Sequence, residues 1–218
     1  ALVATIMAPA GVTLPRDPGL HHTVGKLLRH PLVITALCFA LADAAGVAAV
    51  DLLAPLALGR EGVGSTAIGI AIAAGAVMGI AAGWGAGRIG ERIGSFRIAM
   101  IGGIGLGLMP WLLVFPLPSW GVLGVLVIIG PFFPILMTGI FPLMSMAADD
   151  LGLSHGTANA LANMVWSAGF AVVPLLVAPI ADFGGDRLAY AMAGTLVIGL
   201  LIIAVLMRSR ARNLSLSH

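Results

Sequence analysis

The chain has 218 residues, of which 60% are hydrophobic and only 9% are charged, where a soluble domain carries about 25%. So few charges cannot cover a soluble globule of this size, and a chain this apolar is not disordered, which leaves an integral membrane protein. The net charge of +2 gives no footprint for nucleic acid, and the single cysteine, Cys38, excludes an internal disulfide or a cysteine metal cluster.

Residues 1–30 hold no membrane span. Ala1 to Gly11 is apolar but too short to cross, and Pro15, Arg16, Asp17, Pro18 and Gly19 read as a turn. The basic start and cleavage pattern of a signal peptide are missing, and the first residue is Ala. The simplest expectation is the end of a preceding helix followed by a cytoplasmic loop to residue 30. His21 and His22, adjacent in that loop, do not have the spacing of a metal-ligand pair.

Six stretches then match the roughly 20 apolar residues that a transmembrane helix needs. The first is Pro31 to Leu58. Asp43 falls 12 residues beyond Pro31, about 18 Å along a helix and near the bilayer centre. A carboxylate there costs several kcal/mol unless it is paired, protonated or wet. Asp43 is thus a candidate for proton or substrate handling, with a hydrogen-bonded structural acid as the plainer alternative. Asp51 lies eight residues on, about 80° round the helix, where a solvated end residue is the plainer reading.

The second stretch is Thr66 to Gly87. Gly75, Gly79, Gly83 and Gly87 stand four apart and form a stripe that lets a neighbour approach closely. The stripe suits tight packing and equally a rocking surface. The third, Arg97 to Phe115, repeats the spacing at Gly103 and Gly107 and carries Pro110. The fourth is Trp120 to Met146. There Pro131 and Pro134 flank Phe132 and Phe133, with Pro142 beyond, and a bent, aromatic-lined wall is expected.

The fifth stretch, Thr157 to Ile180, opens behind His155 and Gly156. Asn159, Asn163 and Trp166 share one face, suited to a polar path or to hydrogen bonds between helices. Pro174 and Pro179 follow. The sixth is Leu188 to Met207, and residues 208–218 form a cytoplasmic tail. Trp84, Trp111 and Trp120 sit toward helix ends as interface anchors. No metal-ligand spacing, nucleophile motif or phosphate loop occurs, so no enzyme, metal or cofactor is expected.

Six spans put both ends of the chain on one side. Arg16, Lys26, Arg29, Arg88, Arg92, Arg97, Arg208, Arg210 and Arg212 lie on that side, against Arg60 and Arg187 on the other. By the positive-inside rule both ends face the cytoplasm of a plasma or inner membrane.

The connection between the second and third spans reads Gly87-Arg88-Ile89-Gly90-Glu91-Arg92-Ile93-Gly94. It resembles the Gly-x-x-x-Asp-Arg-x-Gly loop of the major facilitator superfamily, with Glu91 in the acidic position. The family's following basic pair is replaced here by Ser95-Phe96, with Arg97 one place later. That departure fits the second, degraded copy of the motif. Leu153-Ser154-His155-Gly156, followed by Asn159, Gly169, Pro174, Pro179 and Asp182-Phe183-Gly184-Gly185-Asp186, looks like the eleventh helix of drug-efflux members. Pro55-Leu56-Ala57-Leu58 before Gly69 resembles their connection between helices seven and eight.

The resemblance covers about residues 31–207. It implies an all-α membrane fold, the carboxyl-terminal six-helix half of a twelve-helix transporter, with an amino-terminal half as partner. It places Asp43, Phe132, Phe133 and Met137 near a substrate path, and gives Gly87, Glu91, Arg92, Gly94 and Arg97 a role in holding one conformation closed. The implied function is proton-coupled efflux of a small amphipathic or drug-like compound by alternating access. The alternatives are a metabolite uptake permease, or a non-transporting scaffold or small channel. Substrate, protons and membrane lipid are the expected partners.

Overall fold

The computed structural model describes residues 20–215, with side chains over 24–210. The expected helix end at Ala1 to Gly11 and the turn at Pro15 to Gly19 lie outside the described residues. Within them every element is helical: α1 (Leu20–Leu27), α2 (Pro31–Arg60), α3 (Ser65–Ile93), α4 (Ser95–Val114), α5 (Ser119–Ile129), α6 (Phe132–Leu151) and α7 (His155–Ser215). Five stretches are long and apolar enough to cross a membrane: Pro31–Arg60, Ser65–Ile93, Ser95–Val114, Ser119–Leu151 and His155–Arg210. This is the character of a membrane protein.

α2 forms the centre. It starts at Pro31, whose missing N–H costs nothing in a first turn, and from Leu32 to Leu58 most of its side chains are buried. Its most apolar 18-residue stretch is 83% buried, against 17% for α3. α3 meets the bundle through one face only, at Ile68, Ala71, Gly75, Gly79 and Ala86.

The glycine stripe of α3 explains the crossing. A Cβ added at Gly75 would lie 2.7 Å from the Leu126 carbonyl oxygen and 3.2 Å from that of Val127, and one at Gly79 would lie 2.9 Å from that of Gly130. Pro131 and Pro134 have no N–H to give the carbonyls four residues back, and those belong to Val127 and Gly130. The two freed carbonyls therefore lie over the glycine stripe, where only backbone hydrogens intervene. Gly83 meets the Pro134 ring, while Gly87 meets nothing within 4 Å. The same prolines divide the expected fourth span into α5 and α6.

α7 is 61 residues long but has non-helical dihedrals at Gly185, with φ 78° and ψ 163°. A straight helix of that length would reach about 90 Å. Instead, Gly169 packs on Leu41 and Ala44 of α2, and Val197 packs on Gly46 of the same helix. Residues on both sides of Gly185 thus meet the same turn of α2, so the chain folds back there. Gly supplies the positive φ that this reversal needs.

Several expected connections prove shorter. α3 continues through Arg88 to Ile93, and the turn is Gly94 alone, with φ 90°. No proline lies from Arg88 to Ile93 and Gly90 stays helical, so the helix runs on to the positive φ of Gly94. α6 extends to Leu151, the expected loop 181–187 is helical except at Gly185, residues 208–215 continue α7, and Leu20–Leu27 is helix rather than loop.

Polar contacts tie the two ends of the bundle. At one end Arg60 pairs with Asp186, and the Ser119 hydroxyl donates to Glu61 at 2.7 Å. At the other, His30 lies 3.6 Å from Asp150, and His155 bonds Asp149 at 2.6 Å.

Candidate functional site

Asp43 is fully buried, and with Thr35 it completes the buried polar side chains among the described residues. Thr35 satisfies itself by donating to the Pro31 carbonyl at 2.8 Å. Asp43 cannot do this: its bond crosses to α7, where the Trp166 Nε1–H donates to Oδ2 at 2.6 Å. Oδ1 is buried with no hydrogen-bond partner, and among the described residues no ion pair reaches Asp43.

Gly169 makes this bond possible. A Cβ there would come within 3.0 Å of Ala44 and 3.1 Å of Leu41. Without a side chain at that position α7 approaches α2 closely, and Trp166, one turn earlier, reaches Asp43. The indole stacks on Phe170, with centroids 5.3 Å apart, and tilts against Phe133 at 6.0 Å. The tryptophan is thus held at its N–H by a carboxyl and packed against two aromatic rings.

Trp166 also borders a cavity of about 430 Å³, lined with it by Phe133, Pro134, Met137, Thr138, Phe141 and Asn163. Pro134, Thr138 and Phe141 share one face of α6, where Thr138 donates to the Pro134 carbonyl at 2.8 Å and so leaves its hydroxyl satisfied within the helix. The lining is thus aromatic and thioether walls with one amide, the mixed surface that small-molecule pockets commonly show.

Four of the sequence candidates therefore line one cavity: Phe133, Met137, Asn163 and Trp166. Asp43 joins them through the indole. Asn159 lies one turn from Asn163 on the same face, its Oδ1 buried and without a partner. Two candidates lie elsewhere. The Phe132 ring occupies the space beside Gly105 of α4, and Asp51 is exposed two turns along α2 from Asp43. Thr138, Phe141 and Phe170 join the site without standing out in the sequence. Phe170 stands four residues from Trp166, the spacing at which two rings meet on a helix.

The motif residues form a separate region. Glu91 and Arg92 are exposed on the last turn of α3 and make no ion pair among the described residues. The Arg88 guanidinium lies 3.8 Å over the Trp84 ring. Arg97 borders a cavity at the same end, with Gly94.

Comparison with the models of known protein families and with curated proteins returned no match.

Proposed function

We propose that this chain forms six membrane spans of a secondary transporter of the major facilitator type, which exports a small amphipathic compound in exchange for protons. The two arms of α7 on either side of Gly185 are the fifth and sixth spans. One observation carries the reading: a sealed carboxyl on the central helix shares its hydrogen bond with the ring that walls a cavity. A structural acid would satisfy both oxygens within the packing, whereas Asp43 leaves Oδ1 without a partner.

In this mechanism a proton on Asp43 Oδ1 removes the cost of a buried charge. The Trp166 N–H is a donor only and serves the neutral acid or the carboxylate. A substrate entering beside Phe133 and Met137 pushes the indole aside and lets water reach Asp43, and hydration of the carboxylate outweighs the loss of one N–H donor. The proton then leaves as the site opens to water. Substrate and proton compete through Trp166, which is the requirement for exchange. The exposed Glu91 and Arg92 are free to meet a facing six-helix unit, and the motif they belong to supports that pairing.

The test is flux of a lipophilic aromatic cation from proteoliposomes holding the full-length protein. A proton gradient is expected to drive it, Asp43→Asn to abolish the pH dependence, and Asp43→Glu to retain part of it. Flux and pH dependence unchanged in Asp43→Asn would sink the coupling role, and no substrate-dependent flux at all would favour a scaffold. Orientation is checked with Cys38→Ala carrying a new cysteine at Ser209 or at Gly62. A membrane-impermeant reagent outside the cell is expected to label the second and not the first.

A further inference from the structure

Two further cavities border α4 and the arm of α7 beyond Gly185, and Trp166 lines neither. The first is a groove of about 370 Å³ whose walls are entirely apolar, including Met100, Ile104 and Leu108 from α4 and Ile198, Ile202 and Val205 from α7. It faces outward: Ile104 and Ile202 are 49% and 56% exposed. The second, about 660 Å³, opens at the end of the groove and shares Val205 with it; Arg97, Arg208, Ser95 and Ser209 stand in its wall. The Arg208 guanidinium is held 5.8 Å from the Phe96 ring centroid. No acidic residue lines either cavity among the described residues.

We infer that this composite cleft binds one anionic phospholipid, its phosphate between Arg97 and Arg208 and an acyl chain along the groove. Two guanidiniums at the mouth match a phosphodiester, which each contacts with paired N–H donors. The absence of a carboxylate disfavours headgroups that carry an amine. Length agrees as well. Arg97 and Leu108 are eleven residues apart on α4, about 16 Å, and one leaflet of a hydrocarbon core is about 15 Å deep. A soluble anion would use the arginines but leave the groove empty, and a neutral lipid would fill the groove but leave the arginines uncompensated. The inference rests on the membrane location of these helices and not on the transport reading.

Native mass spectrometry of the full-length protein, titrated with phosphatidylglycerol or phosphatidylcholine, tests it. One phosphatidylglycerol is expected to be retained in preference. Arg97→Gln and Arg208→Gln are each expected to weaken it about fivefold, the effect of one interfacial arginine. Ile104→Trp with Ile202→Trp keeps both charges but fills the groove, and is expected to abolish the preference. These positions are exposed, so the bundle tolerates the change. Equal retention of the two lipids, undiminished retention by the arginine variants, or full competition by glycerol phosphate would each overturn the site.

Discussion

α2 and α3 are apolar helices of nearly equal length, 30 and 29 residues, placed in opposite surroundings. α2 is enclosed by protein over most of its length and hides Asp43. α3 shows most of its surface, Val77 and Ile80 included, and touches the bundle along one row of small residues. Hydrophobicity alone does not separate them, because lipid and protein interior are equally apolar. What separates them is the shape of the contact. A row of glycines at intervals of four marks a helix that meets its neighbour on one face, and a sealed carboxyl marks a helix that must find its partner inside the bundle. The largest effect expected from breaking this contrast comes from Gly75→Leu with Gly79→Leu, whose new side chains would meet fixed carbonyls. Overpacking costs about 1–3 kcal/mol at each site. Val77→Leu, on the exposed face of the same helix, is expected to leave thermal stability in detergent unchanged. Equal melting temperatures for the two variants would remove the distinction between the faces.

The sequence carried this much because both features are local. The glycine row, the position of Asp43 and the proline-flanked aromatic wall are each visible within a few residues, and each has a place in the fold. The Trp166–Asp43 bond was not legible, since it joins residues 123 apart in the chain and depends on how closely Gly169 lets two helices approach. Nor was the rotation that points Phe133 into the cavity and Phe132 at Gly105. Adjacent residues on a helix are about 100° apart, so only packing decides which one faces inward. Helix ends are hard to read from the sequence for a simpler reason. Charged residues such as Arg88, Glu91 and Arg92 suggest a loop, yet all three are good helix formers and nothing stops the helix before Gly94.

A smaller effect sharpens what burial does to α2. Trp166→Phe keeps an aromatic ring, though a smaller one, but removes the N–H, which leaves both Asp43 oxygens without a partner. The expected loss is about 1–3 kcal/mol, the cost of an unsatisfied buried polar group. Made in an Asp43→Leu background, the same substitution is expected to cost much less, because no acceptor is left stranded. The difference between the two values, read from thermal unfolding as a double-mutant cycle, measures the coupling of the pair. A cost for Trp166→Phe that is the same in both backgrounds would reduce Trp166 to an ordinary packing residue and detach the cavity from Asp43.

The smallest effect concerns the helix ends. α2 begins behind His30, half-buried with Nδ1 lacking a partner, whereas the charged residues ending α3 are exposed. Burial lowers the His30 pKa below its ordinary value of 6.5, and the Asp150 carboxylate at 3.6 Å partly offsets this. The folded chain therefore prefers neutral histidine more than the unfolded chain does. Its contribution to stability is complete above pH 6.5 and is lost as the pH falls from there through the lowered value. Thermal stability is expected to decline over that interval, and His30→Gln, which cannot take the charge, to flatten the decline. Asp150→Asn removes the offsetting carboxylate and is expected to steepen it. A slope that ignores His30→Gln would mean that the start of α2 is no better enclosed than the end of α3.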